Sequence, residues 1–336
     1  MPTPHQPPFT ITPRIVALVA EICERVGRWT GEGREAVSPR LRRENRIRTI
    51  QASLAIENNT LSIEQVTAIL EGKRVLGTPR EIQEVRNAIE CYDRFGDWQA
   101  TSAGDLLVAH GIMMKALVDE AGGFRRGGVG IYRGDKLVHM APPADRVEHG
   151  VRDLLRWLET TDHHPLVASS ILHYEIEFIH PFADGNGRMG RLWQSLALAS
   201  WHADLAYLPV EHLISERQAD YYAALGEADR RADASPFVEF MLSALRDAFD
   251  SLPTSDQVND QVNDQVKSLV RHLSGSEEVT AAELMRRLDL KHRPSFRKNY
   301  LHPALVSGWI EMTDPSSPRS PAQRYRLTAR GRRQKH

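Results

Sequence analysis

The chain has 336 residues, 41% of them hydrophobic, enough for one large core and a small satellite domain. A formal net charge of -1 excludes the global field that would announce nucleic acid or an anionic membrane surface as a partner. No apolar run approaches the length of a membrane span, and the proline-rich start, Met1 to Pro8, has no hydrophobic signal core, so a cytoplasmic protein without a membrane partner is expected. Cys23 and Cys91 lie far apart in sequence, match no metal spacing and read as buried thiols of a reducing compartment.

Apolar residues recur at helical spacing over Pro13 to Trp29 and Leu41 to Glu57, separated by a Gly-, Ser- and Pro-bearing connector from Gly31 to Pro39. The same period predicts helices over Ser62 to Glu71, Pro79 to Phe95, Ala103 to Asp119, Ala144 to Thr160, Pro165 to Ile179, Arg188 to His202, Arg217 to Asp229 and Pro236 to Leu252. Such a series packs several helices deep, so the fold class is all-α. One stretch departs from the pattern: between Gly122 and Met140 two β-prone runs flank Gly134-Asp135, which signals a hairpin.

The tail is a different object. Asp256-Gln257-Val258-Asn259, Asp260-Gln261-Val262-Asn263 and Asp264-Gln265-Val266-Lys267 repeat one four-residue unit, read as a linker running into a helix. Helices then follow over Thr280 to Leu288, with Thr280 as N-cap, and Arg293 to Ser307, ended by Gly308. Trp309 to Thr313 and Gln323 to Thr328 can form a wing. Four parts are expected: an N-terminal helical region (1–100), a core (101–250, hairpin 122–140), a linker (251–267) and a tail domain (268–336).

Residues 180 to 191 read His180-Pro181-Phe182-Ala183-Asp184-Gly185-Asn186-Gly187-Arg188-Met189-Gly190-Arg191, the components of a phosphate site. Gly185 and Gly187 are expected to bend the backbone so that amide hydrogens point inward, toward a helix N-terminus that favours anions. Arg188 and Arg191, three apart, share a helix face and can reach one polyphosphate. His180 suits a general base, and Asp184 is a hard oxygen ligand suited to Mg²⁺.

The run resembles the signature of the Fic family, His-x-Phe-x-Asp-Gly-Asn-Gly-Arg-x-x-Arg, at every fixed position. The resemblance covers roughly residues 40 to 250. It implies a protein adenylyltransferase in which His180 deprotonates a Tyr, Thr or Ser hydroxyl that attacks the α-phosphate of ATP, in target proteins and in the enzyme itself. Asp184 would hold Mg²⁺; Asn186, a second catalytic residue, and the amides near it would bind the α-phosphate; Arg188 and Arg191 would hold the β- and γ-phosphates; Phe182 would anchor the loop. The ATP site would thus take in Asp184, Gly185, Asn186, Gly187, Arg188, Met189, Gly190 and Arg191, and the intact Gly-Asn-Gly-Arg argues for the nucleotide orientation that transfers AMP.

The hairpin resembles the family's flap, whose strand edge clamps a target segment by main-chain pairing, with Val129, Gly130, Ile131 and Tyr132 beside the nucleotide. Tyr221 and Tyr222 are candidates to wall the adenine pocket. Ser53-Leu54-Ala55-Ile56-Glu57-Asn58 resembles the family's inhibitory motif, in which the Glu pairs with the second motif arginine, here Arg191. Ser53 and Glu57, four apart, face the same way. His163, His164 and His173 lack a carboxylate or thiol partner at ligand spacing and are assigned to core or surface.

The tail resembles the winged helix-turn-helix appendage that many bacterial Fic proteins carry. Arg293, Arg297, Lys298, His302 and the all-basic charges after Asp314 make DNA one candidate partner of residues 268–336, and a protein or homodimer contact the other. Two further readings stay open: removal of AMP with Glu57 activating water, and a DNA-binding regulator that senses a nucleotide without catalysis.

Overall fold

The computed structural model describes residues 6–31, 39–133, 136–250, 265–273, 277–290, 292–306, 308–314, 320, 323–328 and 331–332. The hairpin tip, Gly134 and Asp135, and the first two copies of the tetrapeptide repeat lie outside the described residues. The chain forms two compact units, Met1–Ser251 and Leu252–His336. No described helix is long and apolar enough to cross a membrane.

The first unit is all-helical apart from one hairpin. Its helices are α1 (Pro13–Gly31), α2 (Pro39–Ile56), α3 (Ile63–Leu70), α4 (Pro79–Asp93), α5 (Ala103–Met113), α6 (Ala144–Thr160), α7 (Pro165–Ile179), α8 (Asn186–Trp201), α9 (Val210–Glu216), α10 (Gln218–Arg231) and α11 (Ser235–Asp250). The hairpin joins β1 (Gly130–Arg133) to β2 (Lys136–Met140), antiparallel, with a bulge between Ile131 and Tyr132.

α7 is the central helix, buried on all sides: Leu166 through Ile176 are buried without interruption, the polar Ser169, Ser170, His173 and Glu175 among them. It starts where His164 Nδ1 accepts from the amide of Leu166 and Pro165 takes the first helical position, which needs no amide donor. α6, α8 and α11 pack against it. α3 and α4 each open with a reciprocal capping box, Ser62 with Gln65 and Thr78 with Glu81.

α2 docks on α3, α4 and α9 and reaches α8. Its apolar side buries Ile47, Ile50 and Leu54. A second, polar stripe at four-residue spacing is buried as well: Asn45 donates to the Tyr207 carbonyl (3.0 Å), Thr49 to Glu211 (3.3 Å), and Ser53 accepts from Arg191 (3.0 Å). Burial of these side chains is offset by the partners each finds on the core, Asn45 Oδ1 alone among their polar atoms being left without one.

Two elements of the first unit depart from expectation. α5 stops at Met113 rather than Asp119, because the buried Asn87 amide donates to the carbonyls of Met113 (3.1 Å) and Lys115 (2.8 Å) and Ala116 turns to φ 60°. α9, immediately after Pro209, has no counterpart among the expected helices. Cys91 is buried, whereas Cys23 is only half-buried, its Sγ 3.4 Å from His164 Nε2.

The second unit has its own core, with Leu269, Leu273, Leu284, Phe296, Leu301, Trp309, Ile310, Tyr325 and Leu327 buried together. It runs α12 (265–271), β3 (Val279–Thr280), α13 (Ala281–Arg287), α14 (Arg293–Phe296), a π turn over Arg297–Leu301, α15 (His302–Val306), β4 (Ile310–Met312) and β5 (Arg324–Leu327). The strands form one antiparallel sheet in the order β3-β5-β4, so a short strand before α13 joins the two expected ones. Thr280 caps α13 by accepting from the amide of Glu283. The π turn leads straight into Pro303, which has no amide to donate and whose ring crowds the preceding turn; widening the helix there relieves both.

Candidate active site

The site forms where α7 ends and α8 begins. α7 terminates in His180 itself, at φ 50° and ψ 61°, a left-handed conformation that a residue with a Cβ adopts at a cost of about 1–2 kcal/mol. The His180 Nδ1 lies 3.3 Å from the Glu177 carbonyl, so Nδ1–H donates there and the basic lone pair falls on Nε2.

Between the helices the loop is clamped from several sides. Phe182 is fully buried, its ring stacked on His110 at 3.7 Å between centroids. The amide of Gly122 donates to His110 Nδ1 (3.0 Å), which leaves Nε2–H to donate to the Asp184 carbonyl (3.0 Å). Burial pushes the His110 pKa down to about 4, so the ring is neutral and this tautomer is fixed. Arg125, also buried, donates to the carbonyls of His180 (2.6 Å), Gly127 (2.7 Å), Pro142 (2.6 Å) and Ile179 (3.3 Å). One guanidinium thus bolts the hairpin's root to the backbone of His180.

Gly185 closes the loop at φ 87° and stands ahead of α8, whose first residue is Asn186. The two motif arginines are almost fully buried, Arg188 at 3% and Arg191 at 2% exposure. Arg188 meets Asp184 (3.2 Å) and Glu84 (3.7 Å), while its Nε and Nη1 have no hydrogen-bond partner. Arg191 donates from Nε to Ser53 Oγ and from Nη2 to the Ser53 carbonyl (3.0 Å each), and from Nη2 to Glu57 Oε1 (2.7 Å); its Nη1 has no partner. Burial alone would lower the Arg191 pKa, but the charge and hydrogen bond of Glu57 hold it above the ordinary value. Buried guanidinium donors without acceptors are costly in a protein alone, and phosphate oxygens would satisfy them.

Residues 100–198 match the model of the Fic/DOC family, and residues 264–328 that of the C-terminal domain of filamentation-induced-by-cAMP, Fic-like proteins. A crystal structure of a Fic family protein from Desulfovibrio desulfuricans G20 is similar over 97% of this chain and 99% of that one, at 63% identity and a TM-score of 0.73. The chain belongs to the Fic family. A structure of Fic-1 from Caenorhabditis elegans is similar over 70% of each chain, at 26% identity and a TM-score of 0.56. The protein adenylyltransferase fic-1 of Caenorhabditis briggsae is 32% identical over 214 residues, which is 60% of this chain. The chain spans 40% of that relative's length.

Several residues of this Fic protein stand differently from expectation. Gly187 does not bend the backbone; it lies in the first turn of α8, and a Cβ there would collide with Glu57 Oε1 and press on Arg191 and Glu177. The side chain of Asn186 is engaged with its own loop, accepting from the amide of Phe182 and donating to its carbonyl (2.9 Å each), an arrangement that holds the turn shape. Tyr221 is buried, its hydroxyl 3.2 Å from both His173 Nε2 and Glu177 Oε1. Tyr222 beside it is half-buried. His173 is fully buried with its pKa pushed down to about 3, first by burial and then by Arg191, which keeps it neutral.

The remaining site residues fall as follows. Met189 and Gly190 are buried in α8, Asp184 is half-buried and Asn58, at φ 69°, is exposed after α2. Val129 and Gly130 stand half-buried at the start of the hairpin, and Ile131 and Tyr132 lie in β1. Arg125, His110 and Glu84 were not singled out from sequence. Phe124, next to Arg125, packs its ring on Phe182.

Proposed function

We propose that the protein is an adenylyltransferase that moves AMP from ATP to Tyr, Thr or Ser hydroxyls of proteins, itself included, and that α2 restrains it through Glu57. The observation that carries this reading is the pair of buried arginines with unused donors, set one turn apart behind a loop that holds His180 with its basic nitrogen on Nε2. The names of the curated relatives support the same reaction.

In this reaction His180 Nε2 takes the proton of the target hydroxyl as its oxygen bonds to the α-phosphorus. The bond from that phosphorus to the bridging oxygen breaks, and pyrophosphate leaves with the electron pair. Arg188 and Arg191 would bind the pyrophosphate portion, which is the charge that grows as the bond breaks. Asp184, half-buried and shared between Arg80 (3.3 Å) and Arg188 (3.2 Å), is the carboxylate that would hold Mg²⁺, which commonly takes one or two carboxylates; bound there it would neutralise phosphate charge. The hairpin edge would pair with the target segment. Glu57 occupies Arg191 Nη2, so γ-phosphate and Glu57 would compete for one guanidinium.

Arg326 of the second unit is held by Glu311 (2.7 Å) and Glu278 (3.5 Å), and Arg287 by Glu277 (2.7 Å) and Glu283 (3.0 Å). This neutralisation favours a protein contact over DNA for that unit. Unpaired thiols agree with a reducing, cytoplasmic setting.

Glu57→Gly tests the assignment: with ATP and Mg²⁺, intact mass is expected to reveal AMP adducts at least tenfold faster than in the parent, and Arg191→Ala in that background to suppress them. A Glu57→Gly protein no faster than the parent across ATP concentrations would reject the restraint.

A further inference from the structure

Away from the motif, the N-terminal half of α2 forms one wall of a cleft of about 490 Å³. Its floor is apolar: Ile47 and Ile50 from α2, Val66 and Leu70 from α3, and Ile89 from α4. Its rim is cationic, with Arg42, Arg43 and Arg46 against a single lining carboxylate, Asp93. The Tyr207 ring closes one side beneath two of the guanidiniums, 4.8 Å from Arg42 and 5.6 Å from Arg46.

None of the three arginines is consumed by its ion pair. Arg42 reaches Asp204, Arg43 reaches Glu71 and Arg46 reaches Asp93, each through one nitrogen at 3.3–3.4 Å and none in a bidentate fork. Partly exposed single contacts of this kind are worth about 0–1 kcal/mol, so a better acceptor displaces them readily. Arg42 Nε is moreover buried without a partner. A concave apolar floor of this size with a few convergent donors at its mouth is the usual form of a small-molecule site.

We propose that this cleft binds a small organic anion with an apolar body, a carboxylate, sulfonate or phosphate head meeting Arg42 and Arg46 while the body covers Ile47, Ile50, Val66 and Leu70. The walls come from α2 on one side and α3 and α4 on the other, so the site exists only while α2 is docked. Any ligand of the cleft therefore stabilises the docked helix by linkage. The last turn of the same helix carries Ser53, and Glu57 follows it onto Arg191, so the ligand acts as a co-inhibitor; this second half rests on the restraint proposed above.

The probe is 8-anilinonaphthalene-1-sulfonate, compared with N-phenyl-1-naphthylamine, the same body without the anion. Calorimetry on the full chain is expected to give one site per molecule for the sulfonate and at least tenfold weaker binding of the neutral compound. Arg42→Gln with Arg46→Gln should weaken the sulfonate at least tenfold, and Leu70→Trp, which fills the cleft from a half-buried position, should abolish it with the unfolding midpoint retained. No binding, equal binding of the neutral compound, or unchanged affinity in both variants would overturn the site. Saturating sulfonate should also slow AMP incorporation by the parent at least threefold and leave Glu57→Gly unaffected. An occupied cleft with an unchanged parent rate would reject the coupling alone, whereas a Glu57→Gly protein no faster than the parent would reject the restraint and leave the calorimetric result standing.

Discussion

His180 combines a left-handed backbone with a fixed tautomer, Arg125 donating to its carbonyl and its own Nδ1–H donating to that of Glu177. Replacing it by Ala keeps the left-handed turn sterically no worse and removes only the proposed base. We expect His180→Ala to lower AMP incorporation by about 10²–10⁴-fold, the usual range for one general base, with nucleotide affinity within about threefold by titration calorimetry. Undiminished incorporation would remove His180 from the chemistry. Arg125 holds four carbonyls, including that of His180, and Lys cannot reproduce that fork. Arg125→Lys should therefore cut turnover about tenfold or more while the KM for ATP changes little, because its donors face the backbone; a rise in KM with unchanged turnover would contradict this positioning role. The two residues also differ in how they can be read. His180 sits in a run whose spacing itself specifies chemistry, whereas Arg125 and His110 act through backbone carbonyls and a ring stack that folding alone brings together, and no local pattern marks them.

α2 is held by hydrogen bonds as well as by packing, and one of those bonds ends on Glu211 at the start of α9. Its carboxylate is buried among Thr49 of α2 (3.3 Å), Tyr92 of α4 (3.4 Å) and Ser195 of α8 (3.4 Å). Burial raises its pKa to about 7, against the favourable influence of Arg191 and the surrounding hydroxyls. An acid whose folded pKa lies above its unfolded value binds its proton more tightly when folded. The fold is then favoured at low pH, and it loses stability as pH rises from about 4.5 through 7, after which the full penalty remains. Glu211→Gln removes that titration: the parent's unfolding midpoint should fall relative to the variant's between pH 5 and pH 7.5, by calorimetric scanning, and parallel profiles would place the charge elsewhere. At this scale the helices of the bundle were legible because apolar period and caps agree, as at Ser62 and Pro165. α9 was not, because seven residues after a proline carry too short a period to separate from a loop. The early end of α5 was hidden for another reason, since its stop signal is the Asn87 amide on α4.

Every group assigned to transfer or restraint, from Ser53 to Arg191, belongs to the first unit, and the second unit buries a separate core around Phe296, Trp309 and Tyr325. Separate cores predict separable stabilities. Deleting residues 252–336 from the Glu57→Gly protein should leave AMP incorporation within about twofold, and loss of transfer would mean that the tail supports the active fold or delivers the target. The tail's own partner is decided by charge. A basic surface that neutralises phosphates binds duplex DNA with an affinity that falls steeply as salt rises, because counterions are released. Here Arg326 and Arg287 already answer to four glutamates, which lowers the field that the count of basic residues suggests. Anisotropy titrations of the full chain with duplex DNA at two salt concentrations are therefore expected to give no saturable binding at physiological salt. Saturable binding that weakens with salt and disappears on deletion of residues 252–336 would assign the unit to DNA instead, and would make Arg293 and Arg297, exposed on α14 and the π turn, the first residues to substitute.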